Sequence, residues 1–264
     1  MVAAYLTGEE RDLFDAWLAE AVARWRELLT FTEIRRGVQA LSELYRGGGS
    51  GPDLAARALA GRGKRAALAT YWSALHYVTV HHVLLAIGPK RLGSPARVID
   101  VGCGTGATGA SAARALGAVR VLGLDRSPWA AEEARRTYAA FRLEGRVRRT
   151  TLPAGMPRAG PGVLVAVGWL AAELDEAGRR SLLARLDRCV RAGGRVLVCE
   201  PAAARRAPFW REWASRLAGL GVRETSLRVS VERPDFVREM DGAARLDHQV
   251  LGASVLWGPP ADAG

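Results

Sequence analysis

The chain of 264 residues carries 38 Lys and Arg against 27 Asp and Glu, a net charge of +11, and 49% of its residues are hydrophobic. This composition excludes a disordered, collagen-like or disulfide-scaffold protein and is typical of one large globular domain, or one with a smaller extension. The 3 cysteines form no Cys-x-x-Cys pair, so we predict neither a structural metal site nor a disulfide framework.

The amino-terminal sequence and the basic charge bear on location and partners. Residues 1–14 lack a basic region followed by an apolar run, so we expect no signal peptide and a cytoplasmic protein. Nearly all of the basic charge is arginine, with Lys64 and Lys90 as the only lysines. GC-rich coding would enrich arginine in this way without selection for nucleic acid, so the charge leaves RNA contact open.

Residues 1–96 are predicted to form an all-helical extension or lid. Thr7 followed by Glu10 resembles a capping box, which places a first helix at 8–29. The glycine-rich stretch at 47–52 predicts a loop. Further helices are expected at 31–46, 53–61 and 64–88.

The stretch from Ala66 to Pro89, most of which lies in the helix predicted at 64–88, has no Asp, Glu, Lys or Arg. A helix needs ~20 residues to cross a bilayer, so this stretch is long enough to do so. Histidines lie within it, and ionisable groups are costly inside a membrane, so we predict a buried helix of a soluble protein. The residues that share the spacing of its buried face are Leu68, Tyr71, Leu75, Val78, His82 and Leu85.

From Arg97 onward, short apolar strands alternate with helical stretches. The predicted strands are 97–101, 119–124, 146–151, 162–167, 195–199, 222–230 and 249–257, and the predicted helices are 107–116, 128–141, 175–191 and 208–219. This alternation predicts an α/β fold over 97–257, a Rossmann-like, doubly wound, seven-stranded and mostly parallel sheet. Residues 258–264 are expected to form a flexible tail.

The stretch Val98-Ile-Asp-Val-Gly-Cys-Gly-Thr-Gly106 places Asp100 near the end of a strand and three glycines in the turn that follows. Glycine allows a tight turn and a close approach of the backbone to a ligand at the carboxyl edge of the sheet. The next strand ends at Asp125, where a carboxylate can accept hydrogen bonds from a ribose diol. The sequence therefore predicts a nucleoside-binding site here.

Two cofactors fit this pattern, since Gly104 to Gly109 also satisfies the Gly-x-Gly-x-x-Gly dinucleotide motif. Asp100 favours a cofactor with an ammonium and a sulfonium over a pyrophosphate. Together with the three glycines it resembles motif I of the class I S-adenosylmethionine-dependent methyltransferases, and a plain connecting turn is the remaining reading. The resemblance implies S-adenosylmethionine as the cofactor, contacted by Asp100, Gly102, Cys103, Gly104, Gly106, Asp125, Arg126, Leu152 and Gly168.

The family pattern is weaker after the third and fourth strands. Residues 150–155 offer no acid near the adenine, which would then meet backbone amides and apolar contacts around Leu152. Residues 163–170 lack the Asn-Pro-Pro-Tyr type of signature, which argues against an adenine or cytosine amino group as the acceptor. Trp169, beside Gly168, is expected to line the acceptor pocket or to lie in the core.

The whole chain resembles the methyltransferase-like ribosomal small-subunit assembly proteins. The stretches that carry this resemblance are 40–46, 68–78, 170–174 and 196–201. It implies RNA binding and the ribosomal small subunit as a partner. That family also holds an iron–sulfur cluster on carboxyl-terminal cysteines, whereas Cys189 and Cys199 fall in a predicted helix and strand, so we expect no metal.

The candidate catalytic residues are His76, Tyr77, His81 and Glu200, since a base is needed only where the acceptor must lose a proton. The histidines could equally be satisfied core residues. We therefore expect a methyltransferase that acts on ribosomal RNA or on a small molecule. The alternative is a non-catalytic, methyltransferase-like module for ribosome assembly or RNA binding.

Overall fold

The computed structural model describes residues 2–47 and 51–260, and its central element is one sheet of seven strands in the order β3-β2-β1-β4-β5-β7-β6. The strands are β1 (Arg97–Val101), β2 (Arg120–Asp125), β3 (Glu144–Arg149), β4 (Val163–Gly168), β5 (Arg195–Pro201), β6 (Arg223–Ser230) and β7 (Val250–Gly258). Each lies within two residues of its predicted bounds. The first five are parallel and β7 is antiparallel to both neighbours, which confirms the predicted Rossmann-like fold.

The register of the parallel strands brings the predicted site residues to one edge of the sheet. Asp100 lies opposite Gly123 of β2 and Ala166 of β4. Gly168, the last residue of β4, is paired with Cys199, directly before Glu200. The strands therefore end together, and the loops after them meet at the carboxyl edge.

The helices of the sheet domain are α6 (Ala107–Leu116), α7 (Pro128–Ala140), α8 (Glu176–Arg191), α9 (Pro208–Ala218) and α10 (Asp235–Ala244). The first four match the predictions closely, whereas α10 was not predicted. The buried residues of α10 are Val237, Met240, Asp241 and Ala244, which follow a helical spacing. The sequence of this short segment therefore contains a pattern that is typical of a helix.

The amino-terminal extension is helical, with α1 (Gly8–Arg26), α2 (Phe31–Arg46), α3 (Pro52–Ala58), α4 (Arg62–Ala67) and α5 (Ser73–Ile87). The predicted helix at 64–88 is interrupted by a π-helical turn at Leu68–Trp72. The Ser73 hydroxyl donates to the Leu68 carbonyl at 2.5 Å within this turn. Such turns often mark functional sites. In the predicted loop at 47–52, residues 48–50 lie outside the described part of the chain, as do 261–264 of the predicted tail.

Two details of the predicted extension are wrong. Thr7 makes no capping hydrogen bond through its side chain, and Glu10 instead accepts from Arg114 at 2.8 Å. The capping box forms at Thr30 and Glu33, which begin α2. Leu85, assigned to the buried face of α5, is 53% exposed, because α5 is apolar around most of its circumference and its outer end reaches the surface.

The extension packs directly on the sheet domain. One apolar cluster joins residues of α1, α2 and α5 to α6, α7 and one face of the sheet, and a second cluster fills the other face beneath α8 and α9. The Trp17 indole donates to the Thr137 hydroxyl at 3.2 Å, and Arg24 donates twice to Glu133, at 2.7 and 2.8 Å. Within the described ranges, none of the helices has the length and apolar character needed to cross a bilayer.

Candidate active site

The three glycines of the loop after β1 all have positive φ angles, but their surroundings differ. A Cβ on Gly102 would lie 2.8 Å from the Leu170 side chain, and one on Gly106 would lie 3.0 Å from Ala134 and Tyr138. At Gly104, with φ of 50°, the nearest atom would be the Gly102 carbonyl oxygen, 4.0 Å away. Gly102 and Gly106 are therefore required by protein packing, and Gly104 faces open space where a ligand can approach.

Asp100 lies beneath this loop and is completely buried. Its Oδ2 atom accepts hydrogen bonds from the Gly109 amide and the Tyr138 hydroxyl, each at 2.9 Å. Its Oδ1 atom has no partner among the described residues. Burial raises the pKa of Asp100 to about 7, against the lowering effect of these two hydrogen bonds. The site thus holds a carboxylate oxygen that a cationic ligand would satisfy.

Asp125, at the end of β2, is half-buried and faces the glycine loop. One carboxylate oxygen accepts from the Gly104 amide at 3.0 Å and the other accepts from the Ser127 amide at 2.8 Å. These two bonds hold the carboxylate beside the open face of Gly104. Each oxygen retains a lone pair for a ligand hydroxyl.

The other predicted cofactor residues have mixed environments. Cys103 is buried with its sulfur beside Gly123, and burial raises the pKa of its thiol well above the ordinary value, so only its backbone can face a ligand. Leu152 is half-buried beyond β3, and Arg126 is exposed. A Cβ on Gly168 would overlap the Thr108 side chain, so this glycine is required for packing against α6.

Glu173 is a carboxylate near Asp125 that the sequence did not reveal. It follows β4 in a short helical turn at Ala171–Glu173, and its Oε1 atom accepts from the Tyr45 hydroxyl of α2 at 2.8 Å. Burial raises the pKa of Glu173, and the nearby Asp125 charge raises it further. Glu173 lies within the stretch 170–174, which contributed to the family resemblance but for which the sequence predicted no role in the site.

The residue that follows the π-helical turn, Ser73 at the start of α5, touches the glycine loop. The Ser73 and Thr105 hydroxyls are hydrogen-bonded at 2.5 Å. Trp72 precedes Ser73, and Trp169 precedes Leu170, the residue that covers Gly102. Both tryptophans therefore lie next to residues that contact the glycine loop.

These two tryptophans and two histidines form a group of rings in contact, which we call the aromatic cluster: Trp72, His76, Trp169 and His248. His76 stacks on Trp169 with ring centroids 3.8 Å apart, and Trp72 makes edge contacts with His248 at 5.4 Å. All four residues are half-buried. Trp169 directly follows β4, has a φ of 54° and is packed, partly buried, against the apolar cluster that joins the extension to the sheet.

The four candidate catalytic residues are not brought together. His76 lies in the aromatic cluster, where burial and the neighbouring His248 lower its pKa to about 3, so its ring is neutral and a weak base at neutral pH. Tyr77 is fully buried, stacks on Phe141 at 4.4 Å and donates to Glu10.

His81 and Glu200 also lie away from the aromatic cluster. His81 contacts His82, one turn beyond Tyr77. Glu200 is completely buried and its Oε1 atom accepts from the Ala171 amide at 2.7 Å, so it supports the turn after β4, while its Oε2 atom has no partner among the described residues. Burial raises the pKa of Glu200 to about 8. Tyr77 thus belongs to the core of the extension, whereas His81 is half-buried beside His82.

Comparison with known proteins finds a family match in the central part of the chain. Residues 98–194 match the family model of a methyltransferase domain, a segment that runs from β1 to the loop before β5. This segment of the chain is therefore similar to methyltransferase domains. Among curated proteins, no sequence matches this chain significantly. In the described ranges, no group of three His, Cys, Asp or Glu side chains could hold a metal ion.

Solved structures share the fold of the methyltransferase domain. The mitomycin 7-O-methyltransferase MmcR is 15% identical, with a TM-score of 0.50 over 95% of this chain and 75% of that one. A precorrin-6y methyltransferase from Geobacter metallireducens is 14% identical, with a TM-score of 0.44 over 67% and 85%. A geranyl diphosphate C-methyltransferase from Streptomyces coelicolor is 16% identical, with a TM-score of 0.44 over 68% and 76%. At these identities the likeness concerns the fold alone.

Proposed function

We propose that this protein binds S-adenosylmethionine at the glycine loop and transfers its methyl group to a small-molecule acceptor. The proposal rests on the glycine loop, where Gly104 has open space beside it and the Oδ1 atom of buried Asp100, in the strand that leads into the loop, has no partner among the described residues. A buried polar atom without a partner costs free energy, and a cationic group at this place would remove that cost.

The residues around the loop fit the parts of such a donor. Asp100 would hold the ammonium and sulfonium end, Asp125 the ribose hydroxyls, and Leu152 the adenine. This arrangement favours a methyl donor over a dinucleotide, because a pyrophosphate would place negative charge near Asp100. The donor supplies a methyl group on a positively charged sulfur, which an acceptor atom can attack in line.

The protein's contribution to transfer is position and exclusion of water. The half-buried rings of Trp72 and Trp169 lie next to the residues that contact the glycine loop, so an acceptor held by these rings is close to the donor. Alignment of two reactants supplies a large part of the rate enhancement in a displacement of this kind. A site lined by aromatic rings also keeps bulk water away.

A small acceptor is favoured over ribosomal RNA because the aromatic cluster lies between two packed parts of the protein. Trp72 and His76 come from the extension, and Trp169 and His248 come from the sheet domain. The ribosomal small subunit as a partner, and a non-catalytic role in its assembly, are the alternatives, and the experiment below distinguishes them.

A labelling experiment tests the proposal. The protein is incubated with S-adenosylmethionine labelled in the methyl group, separately with each of three pools of acceptors. The pools are a small-molecule extract, isolated small ribosomal subunits and total protein. We expect label in the small-molecule pool and loss of that label in Asp125→Ala. Label in ribosomal RNA would contradict the acceptor, and calorimetry that detects NAD but not S-adenosylmethionine would contradict the cofactor.

A further inference from the structure

Tyr71, from the amino-terminal extension, meets Asp241 and His248, from the carboxyl-terminal part of the chain, beside the aromatic cluster. Tyr71 lies in the π-helical turn, Asp241 in α10, and His248 two residues before the start of β7. The His248 Nδ1 atom lies 2.9 Å from Asp241 Oδ1 and 2.7 Å from the Tyr71 hydroxyl, which donates to the same Asp241 oxygen. The His248 backbone amide also donates to Asp241 Oδ2 at 3.2 Å.

Asp241 is held as a carboxylate in this group. It is 1% exposed, and Arg233 donates to its Oδ2 atom at 2.7 Å. Burial alone would raise the pKa of Asp241, but hydrogen bonds from His248, Tyr71 and Arg233 outweigh it and lower the pKa to about 2. An ionised Asp241 fixes a proton on His248 Nδ1, because a carboxylate can only accept.

That geometry leaves the other ring nitrogen of His248 available. With Nδ1 protonated, Nε2 carries a lone pair, and it has no hydrogen-bond partner among the described residues. The ring is half-buried and makes edge contacts with Trp72 at 5.4 Å and Tyr71 at 5.6 Å. The Trp72 Nε1 atom is a buried donor without a partner in the same part of the structure. Within the described part of the chain, the aromatic cluster thus has a His248 ring nitrogen without a protein partner and a buried, unpartnered indole N–H of Trp72.

We propose that His248 is the general base of the methyl transfer and that the acceptor is a planar phenol. This inference rests on the proposed function. The phenol O–H gives its proton to His248 Nε2, and the oxygen forms the new bond to the methyl carbon. The carbon–sulfur bond breaks, and its electron pair stays on sulfur, which becomes a neutral thioether. Asp241 is a positioning residue that stabilises the imidazolium formed.

The acceptor class follows from the groups that surround this nitrogen. Flat rings of Trp72 and Trp169 favour a planar aromatic molecule, which gains apolar contact area by stacking. The Trp72 N–H can donate to the reacting oxygen, and the base removes its proton. His76, which is a poor base with a pKa lowered by burial, then serves to hold the Trp169 ring by stacking.

The contacts among Tyr71, Asp241 and Arg233 also hold the π-helical turn against α10, so the alternative is that this group has a purely structural role. The two roles differ in what is lost when a single proton acceptor is removed. A structural role predicts a lower melting temperature and weaker binding of every ligand. A base predicts loss of proton transfer while binding of the donor and the acceptor persists.

The test uses umbelliferone, para-nitrophenol and the methyl ether of umbelliferone with the full chain saturated by S-adenosylhomocysteine. Phenol and phenolate absorb at different wavelengths, so the absorption of the bound probe reports proton transfer directly. We expect one or both phenols to bind wild-type protein with an increased phenolate fraction. The methyl ether, which has no proton to give, is the control for stacking alone.

The variants are His248→Gln, Asp241→Asn and Asp235→Asn, the last an exposed carboxylate on the same helix. We expect His248→Gln to bind the phenol within about 3-fold of wild type but to lose the phenolate signal, and to lower turnover by about 100-fold or more. Asp241→Asn should lose part of the signal and Asp235→Asn none. Donor affinity by calorimetry should be unchanged in all three.

Three results would overturn the inference. An equal phenolate fraction in wild type and His248→Gln would remove His248 as the base. Donor binding without binding of either phenol would remove the acceptor class. Equal loss of melting temperature, donor binding and phenol binding in both His248→Gln and Asp241→Asn would assign the group to structure. Absence of donor binding by the wild-type protein would instead contradict the proposed function itself.

Discussion

The imidazole of His76 lies parallel to the indole of Trp169, with an interplanar angle of 9° and 3.8 Å between ring centroids. One ring belongs to the amino-terminal extension and the other follows β4 at the carboxyl edge of the sheet. The stack therefore joins the two parts of the chain at the place where an acceptor would meet the glycine loop. Together with the Ser73–Thr105 hydrogen bond, it makes the extension part of the site.

Trp72 and Tyr77, five residues apart on the same helical stretch, should respond differently to truncation. Tyr77→Ala removes a fully buried ring and is expected to lower the free energy of unfolding by about 3–5 kcal/mol. Trp72→Ala removes a half-buried ring and should lower kcat by about 10-fold or more with little change in donor affinity. Denaturant unfolding and steady-state kinetics measure the two effects. Equal turnover in Trp72→Ala and wild type would remove Trp72 from the acceptor site.

Asp125→Ala should weaken S-adenosylmethionine binding, because the ribose hydroxyls lose their acceptor and the Gly104 amide loses its anchor. The expected cost is about 1–3 kcal/mol, measured by calorimetry. Asp12→Asn is a matched control, since Asp12 is exposed on α1. An unchanged affinity in Asp125→Ala would place the donor elsewhere.

Gly104→Ala and Gly117→Ala separate ligand contact from backbone strain. Both glycines have a positive φ angle, and at Gly117 no other atom would lie within 4 Å of an added Cβ. Each substitution should lower the free energy of unfolding by about 1 kcal/mol through strain. Only Gly104→Ala should weaken the donor affinity, by about 10-fold or more. Donor binding by Gly104→Ala with wild-type affinity would show that the loop only connects β1 to α6 and does not contact the donor.

The buried Glu200 makes stability depend on pH. Its pKa is raised from 4.5 to about 8 by burial, so between these values the folded protein keeps a proton that the unfolded chain releases. The free energy of unfolding therefore falls as pH rises from about 4.5 to 8, by on the order of 5 kcal/mol from this group.

Glu200→Gln keeps an oxygen for the Ala171 amide and removes the ionisation, so the pH dependence should become flatter. A slope remains, because Asp100 contributes in the same direction up to about pH 7. Urea unfolding across this pH range measures the difference, with exposed Glu212→Gln as the control. An identical slope in Glu200→Gln and wild type would show that Glu200 is already ionised in the folded protein.

The sequence by itself determined the class of fold and the place of the cofactor site. Strand and helix patterns are local, so β1 and α6 were predicted at their observed bounds. The positions of Asp100 and Asp125 near strand ends also follow from local pattern, because parallel strands end at one edge. These features need no knowledge of which elements pack together.

Only the tertiary structure decided which residues face the site. Because α5 is apolar around most of its circumference, its sequence has no stripe to show that His76 faces the aromatic cluster and Tyr77 the core. Gly102, Gly104 and Gly106 are alike in sequence, and only packing by Leu170, Ala134 and Tyr138 distinguishes them. Tyr71 and Asp241 are 170 residues apart. No local pattern encodes such a contact, since it forms only when α10 packs on the π-helical turn.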